Sequence, residues 1–558
     1  LARSITRFAN PAHWQAAVRR MVETRDHRRM SELLDTEWAN HGPLEQQPGG
    51  DTIIADAMWY NANHFLRLRM FLGARMKEGP CALLGVLRSR DDTRARRALE
   101  RLGFEDFIYL DDDPQFKSEG FQAAAAALLK DVQTHADFLT LTLPENLPAY
   151  IVYDTVLKQA RDPQPPISDP VWRNCLAEAL CDIAIYQREL DTRRVTDVAL
   201  SHPWKTEWGS LIWLSIKRDI TAYHLTGFME AMRVRRFRRP ADFATPVEHL
   251  PLEAFEALPE TTRQELSSFG AGELERRAKG TSSDINASYA YQPEHRIEGK
   301  ERARESLVGD DSRPIAVIFS HIWYDFPHTF AMTHFTDFRD WIESTLARVR
   351  ELDDVIWLLK PHPTEEWYGG FRLAELVHDL PDHVRLLPTK VDNKTVLNAA
   401  DCVLTVHGSV GLEATAWGIP VILADRSYFS DWDIGYAADS RSDYLRLVGE
   451  AGRLTPPTAI QKERARAAFA LALGEPPDDL GAYPMGCDSR GVAVIEDVID
   501  ALRHKPDMVT VEIARLQQFM AQGDTDSYAV FHLLEWARQR ADQQGDTAVT
   551  KSQRRTAR

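Results

Sequence analysis

Twice along the chain, short apolar and β-branched runs alternate with stretches of helical periodicity, and that alternation leaves few folds open. The first series opens with "TIIAD" (52–56), "CALLGVL" (81–87) and "FIYL" (107–110), with helices predicted over 62–72, 91–103 and "EGFQAAAAALLKDV". It resumes, after a helix from Asp169 to Asp191, with "VTDVALS" (195–201) and "ITAYHL" (220–225) around a helix at 205–218. The second series is "RPIAVIFSH" (313–321), "VIWLLK" (355–360), "VRLLP" (384–388), "CVLTV" (402–406) and "IPVIL" (419–423). Helices at 335–349, 393–400 and 409–417 fall between its strands. Strands this short, apolar on both faces, belong in parallel sheets covered by helices on both sides. A chain of 558 residues also exceeds what one hydrophobic core serves. The expectation is an α/β protein of two Rossmann-like, doubly wound domains facing a cleft, with extra N- and C-terminal helices.

The boundaries follow from the breaks in pattern. Residues 1–50 read as an N-terminal helical segment, with an amphipathic stretch over 10–38 and a Gly/Pro/Gln-rich break at 42–50. Residues 51–240 form the first Rossmann-like domain and 241–312 a helical insertion and linker. Residues 313–500 form the second domain, 501–541 the C-terminal helices and 542–558 a disordered tail.

A formal charge of −16 argues against a nucleic-acid binder acting through general basicity. Five cysteines without CxxC or metal-ligand spacing read as reduced, mostly buried residues of a cytoplasmic protein. No apolar run approaches a membrane span, and no signal peptide is evident. The chain opens on Leu rather than Met, so residues are expected to precede it.

Chemistry concentrates where strands end. After "CVLTV", His407-Gly408-Ser409 forms a turn, with Ser409 as N-cap of the next helix and Gly418 just past its end. Gly408 and Gly411 let backbone N–H groups approach a ligand, and the helix N-terminus favours an anion. Glu413, one turn deeper on the same face as Ser409, can accept two hydrogen bonds from a ribose diol. The bland alternative is a Gly-rich turn with an exposed glutamate; the spacing Gly-Ser-x-Gly-x-Glu between two strands favours the ligand site. At the carboxyl end of "VIWLLK" stand Lys360 and His362, between Pro361 and Pro363, which stiffen the loop. A rigid loop with an ammonium and an imidazole can grip a phosphate or base, though prolines also merely stop strands.

These fragments resemble the capsule and surface polysaccharide biosynthesis proteins, the group related to the capsule Kdo transferases, which are GT-B type glycosyltransferases. The resemblance rests on "IVYDTVLKQARDP", "VALSHPWKTEWGSLIWLSIKRDI", "AVIFSHIWYDFPHTF", "FTDFRDWIE", "WLLKPHP", "NAADCVLTVHGSVGLEATAWGIPVI" and "CDSRGVAVIEDV" and covers most of the chain. It implies a GT-B-like fold and a glycosyltransferase that moves a sugar from a nucleotide-sugar donor to a capsular polysaccharide or lipid-linked acceptor. Donor binding would lie in the C-terminal half, with His362, Ser409 and Glu413 as contacts, and acceptor binding in the N-terminal half. The nucleotide-sugar is a co-substrate, so no cofactor is expected, and GT-B enzymes generally work without a metal. The same elements occur in polyol-phosphate transferases, so they do not choose the sugar. A nucleotide-sugar epimerase of similar build, or a GT-B-like assembly protein without chemistry, remains as an alternative.

Candidates for the catalytic group are Asp154 in "VYDT", His202 at the end of "VTDVALS", and Asp56 at the end of "TIIAD". For Asp154 and Asp56 the alternative is capping a helix, the commoner role of such an aspartate. Arg161, Lys205, Glu207, His321 and Asp325 are candidates for touching substrate. The segment 320–340 gathers His321, Asp325, His328, His334, Asp337 and Asp340, yet its spacings fit no standard metal site. A cleft-lining loop is the preferred reading. Finally, "MRVRRFRRPADF" carries five arginines (Arg233, Arg235, Arg236, Arg238 and Arg239). Such a run is a solvated surface, or else it meets anionic lipid or a phosphate-bearing acceptor at the inner face of the membrane.

Overall fold

Every apolar run read as a strand forms one. The computed structural model describes residues 50–58, 62–113, 119–225, 232–244, 249–282, 285–330, 332–474, 507–522 and 525–556, with positions 32, 44 and 504 besides. The amphipathic stretch at 10–38, the motif at 487–498 and Cys487 lie outside the described residues.

Strands β1 (Thr52–Asp56), β2 (Ala82–Leu87), β3 (Asp106–Tyr109), β4 (Val195–Leu200), β5 (Thr221–Leu225) and β6 (Val234–Phe237) form one six-stranded sheet, ordered β3-β2-β1-β4-β5-β6. Strands β7 (Ile315–Phe319), β8 (Ile356–Lys360), β9 (Val384–Leu386), β10 (Cys402–Thr405), β11 (Val421–Leu423) and β12 (Tyr436–Ala437) form the other, ordered β12-β11-β10-β7-β8-β9. All pairs are parallel except β5 with β6. Both sheets therefore carry the doubly wound order, with the first strand central and the winding reversing beside it. The reversal falls between β1 and β4 in one sheet and between β7 and β10 in the other. Helices then cover opposite faces, and a crevice opens at the carboxyl ends of the reversing pair. The α/β expectation of two Rossmann-like halves holds.

The central strands β1, β7, β8 and β10 are buried along their whole length, as strands covered on both faces must be. One apolar cluster passes from a face of the first sheet to a face of the second through Tyr153, Trp172, Ile322 and Trp323. The outer face of each sheet has its own core, and helix Met508–Ala521 returns to pack against Ala62–Arg75 beside the first sheet. The last helix, Tyr528–Thr556, runs through most of the segment whose composition reads as a tail.

The arginine run corrects the sequence reading. It is not a solvated patch throughout: Arg233, Arg235 and Arg236 are each no more than 3% exposed at edge strand β6, and only Arg238 and Arg239 reach solvent. Arg233 donates to the Ala472 and Gly474 carbonyls, at the end of helix Ala459–Leu473. Arg236 donates to the carbonyls of Phe519, Met520, Gln522 and Thr525, at the end of Met508–Ala521. The last carbonyls of a helix lack intrahelical partners and carry partial negative charge, so a buried guanidinium suits them. Among the described residues no helix is long and apolar enough to cross a membrane.

Replacing Arg236 by Met keeps the aliphatic stem but strands those carbonyls. Urea unfolding of the variant is expected to show a loss of about 2–4 kcal/mol; a loss within experimental error would contradict the capping role.

Candidate functional site

At the reversal between β7 and β10 the crevice is a cavity of about 220 Å³. From the end of β7 it is lined by Phe319, Ser320 and His321; from the loop after β8, by Pro361, His362 and Pro363; and from the end of β10 and its following turn, by Thr405, Gly408, Ser409 and Glu413. The proline-flanked loop after β8 and the glycine-rich turn after β10 thus meet across one space. Two further walls come from elsewhere: Asn393 opens helix Asn393–Ala399, and Arg277 and Tyr291 come from the segment read as insertion and linker.

Local structure explains the turn after β10. Helix Val410–Ala416 ends in paired bonds from Gly418 N to Thr415 O at 3.0 Å and from Ile419 N to Ala414 O at 2.9 Å. Gly418 has φ +91°, so glycine is required there, as its place past the helix end predicts. At the other end Ser409 occupies the N-cap position but makes no capping bond. Its hydroxyl donates instead to Glu413 Oε1 at 3.1 Å. Glu413 is 2% exposed rather than open to water. Its carboxylate also accepts from the Tyr291 hydroxyl and forms an ion pair with Arg277, whose Nε lies 2.9 Å from Oε1. Burial and the neighbouring carboxylate push the Tyr291 phenol far above its ordinary range, so it stays a donor. The carboxylate is a fixed acceptor on the cavity wall.

Other atoms of the wall have no partner within the protein. Ser320 Oγ and Asn393 Oδ1 are buried without a hydrogen bond, an arrangement that costs about 1–3 kcal/mol per group. Polar groups left in this state beside a cavity are what a polar ligand would satisfy. His362 Nδ1 accepts from Thr364 N at 3.3 Å, which assigns its proton to Nε2. The His321 ring is stacked on Phe338 with centroids 4.4 Å apart, and burial holds it neutral, far below its usual pKa.

Several expected contacts lie elsewhere. Lys360 is 1% exposed and turns away from the cavity, with Nζ donating to Thr389 O at 2.7 Å and Pro361 O at 3.3 Å. Burial lowers its pKa to about 8. His407 sits behind the wall among His321, Phe330 and Phe338, and burial drops its pKa to about 3. Gly411 faces Phe429, whose ring lies 2.9 Å from where a β-carbon would stand, so its smallness serves packing.

In the N-terminal half, Asp56 is fully buried at the reversal between β1 and β4. Its carboxylate accepts from Ser201 N (2.6 Å), Ser201 Oγ (2.7 Å), Trp208 Nε1 (2.8 Å) and Met58 N (3.1 Å), tying the two strand ends together. His202 packs among Trp204, Trp208 and Phe326, and its Nδ1 accepts from Trp204 N at 3.2 Å. Burial, with His224, Lys205 and Lys158 nearby, keeps it neutral, so its other nitrogen carries the proton. Lys205 lies 5.6 Å from the Trp208 ring and 4.0 Å from Glu207, whose neighbours include Arg88, Glu178 and Asp182. Arg161, exposed, ends helix Ala149–Ala160 with φ +53°.

Asp154 lies within that helix, not at its start, and is 3% exposed. Its partner crosses from the other half: His328 Nδ1 is 2.7 Å from Oδ1, and His328 N donates to Oδ2 at 3.1 Å. His328 Nε2 is buried without a partner. Burial opposes charge on His328, but the Asp154 carboxylate outweighs it and raises the imidazole pKa, helped by Asp337 and Asp425. Burial raises the Asp154 carboxyl as well, against the pull of His328, so the pair shares a proton. Within the 320–340 segment, Asp325 pairs with Lys158 at 2.7 Å, His334 faces Asp425 and Asp337 caps helix Phe338–Val349. Among the described residues no group of three or more such side chains is placed to hold a metal.

Arg277, Tyr291, Asn393 and Ser320 escaped the sequence reading, and His328 was noted only as part of its loop. Asn393 beside the capping Asp392, just past a strand end, was the one local signal; Arg277 meets Ser409 132 positions away.

No family model matches the chain, and no curated protein matches it in sequence. Among solved structures, KpsC of Thermosulfurimonas dismutans, a β-Kdo 2,4-transferase, is 13% identical over 55% of this chain and 88% of its own, with TM-score 0.33. The S. aureus MnaA–UDP structure is 9% identical over 83% and 98%, TM-score 0.26. A UDP-GlcNAc 2-epimerase from Neisseria meningitidis bound to UDP-GlcNAc is 8% identical over 76% and 98%, TM-score 0.21. Likeness at this level assigns neither family nor activity.

The shared proton makes a test. An imidazole raised by folding stabilises the fold fully below its ordinary pKa of about 6.5 and loses that contribution as pH rises through the raised value. The melting temperature of the wild type should exceed that of His328→Gln most near pH 6, the gap closing as pH rises through the raised value. A gap that widens with pH would contradict the pairing.

Proposed function

We propose that the protein is a glycosyltransferase that takes a sugar from a nucleotide-sugar donor held in the β7/β10 cavity. One observation carries this reading: His362, Gly408, Ser409 and Glu413, picked out in sequence for nucleotide chemistry, line the same cavity at a strand-order reversal. Glu413, a fixed buried acceptor, would take the ribose diol, and His362 would contact the base or a phosphate. Ser320 and Asn393 supply unsatisfied polar atoms for the remainder of the donor. The family resemblance supports a surface polysaccharide or glycolipid acceptor, and donor cleavage then needs no cofactor.

The reaction requires the acceptor oxygen to bond to the anomeric carbon as the bond from that carbon to the phosphate oxygen breaks. The electron pair leaves on phosphate, and the hydroxyl proton must go to a base. His328 suits that role better than His202. Asp154 fixes its Nδ1 side, so Nε2 becomes the acceptor once the imidazole is neutral, above its raised pKa. His202, bonded through Nδ1 to Trp204, presents a proton instead. Asp154 would then position His328. Nε2 is covered in the present arrangement, so the halves must part for the acceptor to reach it.

Thermal-shift and calorimetric screening of the whole chain against CMP, UDP, GDP and CDP and their sugar derivatives tests the reading. One nucleotide class should stabilise the protein; no response to any would overturn it. Donor turnover without an acceptor, giving an isomerised nucleotide-sugar, would point to an epimerase instead.

With the nucleotide known, His362→Ala should weaken its binding by about 1–3 kcal/mol while leaving the melting temperature nearly unchanged. Unaltered affinity by calorimetry would remove His362 from the site.

A further inference from the structure

A nucleotide-sugar brings at least one ionised phosphate, and burying it without a counter-charge is prohibitively unfavourable. The sequence offered Lys360 for that task, but Lys360 does not line the cavity, and its ammonium is bound to the Thr389 and Pro361 carbonyls. Helix Val410–Ala416 is only seven residues long, and burial holds His321 uncharged. Among the described residues Arg277 is the only lysine or arginine on the cavity wall.

Its placement is built rather than incidental. Arg277 lies in the last turn of helix Glu260–Ala278, 7% exposed at its side chain, with its guanidinium 5.8 Å from the Phe469 ring. Two turns earlier on the same face, Gly270 lets Ala459–Leu473 approach until the Arg466 carbonyl stands where a β-carbon would go. The two helices are locked together there, so the cation cannot swing far. The following segment is pinned as well: Gln292 N donates to Asp392 Oδ1 and Ile297 N to Thr395 Oγ1, each at 2.9 Å. Arg277 is ion-paired with Glu413, Nε 2.9 Å from Oε1, and its Nη2 donates to Ser409 Oγ in a long bond of 3.4 Å.

The geometry points to Arg277 as the residue that meets the donor's phosphate, with an oxyanion taking the place of the long Ser409 contact while Glu413 stays paired. The insertion is therefore part of the donor site. This inference rests on the proposed nucleotide-sugar reading and adds the source of its counter-charge. A guanidinium fits phosphate oxygens through two parallel N–H donors, so lysine is an incomplete substitute.

The test compares one nucleoside with its mono- and diphosphate, by calorimetry on the full chain, using the base found in the screen. Wild type should bind the phosphorylated forms at least about tenfold tighter than the nucleoside, a difference of about 1.4 kcal/mol. Arg277→Gln should bring that ratio close to unity while nucleoside affinity persists, and Arg277→Lys should keep part of it. Because Arg277→Gln leaves Glu413 buried and uncompensated, the double variant R277Q/E413Q, neutral at both positions, repeats the comparison in a relaxed site. A phosphate preference that survives in both glutamine variants overturns the inference alone. So does an equal loss of nucleoside and nucleotide binding, which would mark Arg277 as support for Glu413 only. A wild type that binds no member of the series overturns the proposed function and this inference with it.

Discussion

The divergence of two neighbouring parallel strands, β7 and β10, is the constraint on which the candidate site depends. Where a doubly wound sheet reverses direction, the loops leaving the two central strands turn to opposite faces and no helix closes the gap between them. Ser320, His321, Gly408 and Ser409 are gathered there because both strands end at that gap. The first sheet has the same reversal between β1 and β4, but Asp56 bridges it through Ser201 and Trp208. The second sheet's reversal carries the lined cavity, and in the first a single buried carboxylate with its donors ties the two strand ends.

Buried charge organises the rest. Arg277 and Glu413 neutralise each other in the cavity wall, Asp154 and His328 share a proton between the halves, and Arg233 and Arg236 sit on helix ends. Each removes an isolated charge or an unpaired carbonyl from a low-dielectric setting. All of these contacts join segments far apart in the chain, so they also fix how the late helices return to the first sheet and how the insertion lies over the second.

What the sequence made legible was local. Buried strands such as "VIWLLK" and "CVLTV" declare themselves through continuous apolar runs, and Gly418 declares a helix end because only glycine takes its φ readily. The edge strand Val234–Phe237 was hidden because arginine is a poor marker of burial; nothing nearby announces that two helix C-termini will arrive to receive it. The same limit explains Lys360 and Ser409. Each was placed at the correct strand or helix end, but where its side chain points depends on Thr389 O for one and Glu413 for the other. Arg277 and Tyr291 fell in polar, Pro/Gly-punctuated sequence that reads as a linker, and only tertiary packing gives them a role.

The central claim is that the second sheet's reversal, and not the first's, receives the nucleotide. Photo-crosslinking with an azido-nucleotide of the preferred base, followed by peptide mapping, locates the bound base directly. The account predicts adducts within residues 319–321, 361–363, 393 and 405–413, competed away by unlabelled nucleotide. Specific, competed adducts confined to residues 56–58 and 201–208 would contradict it.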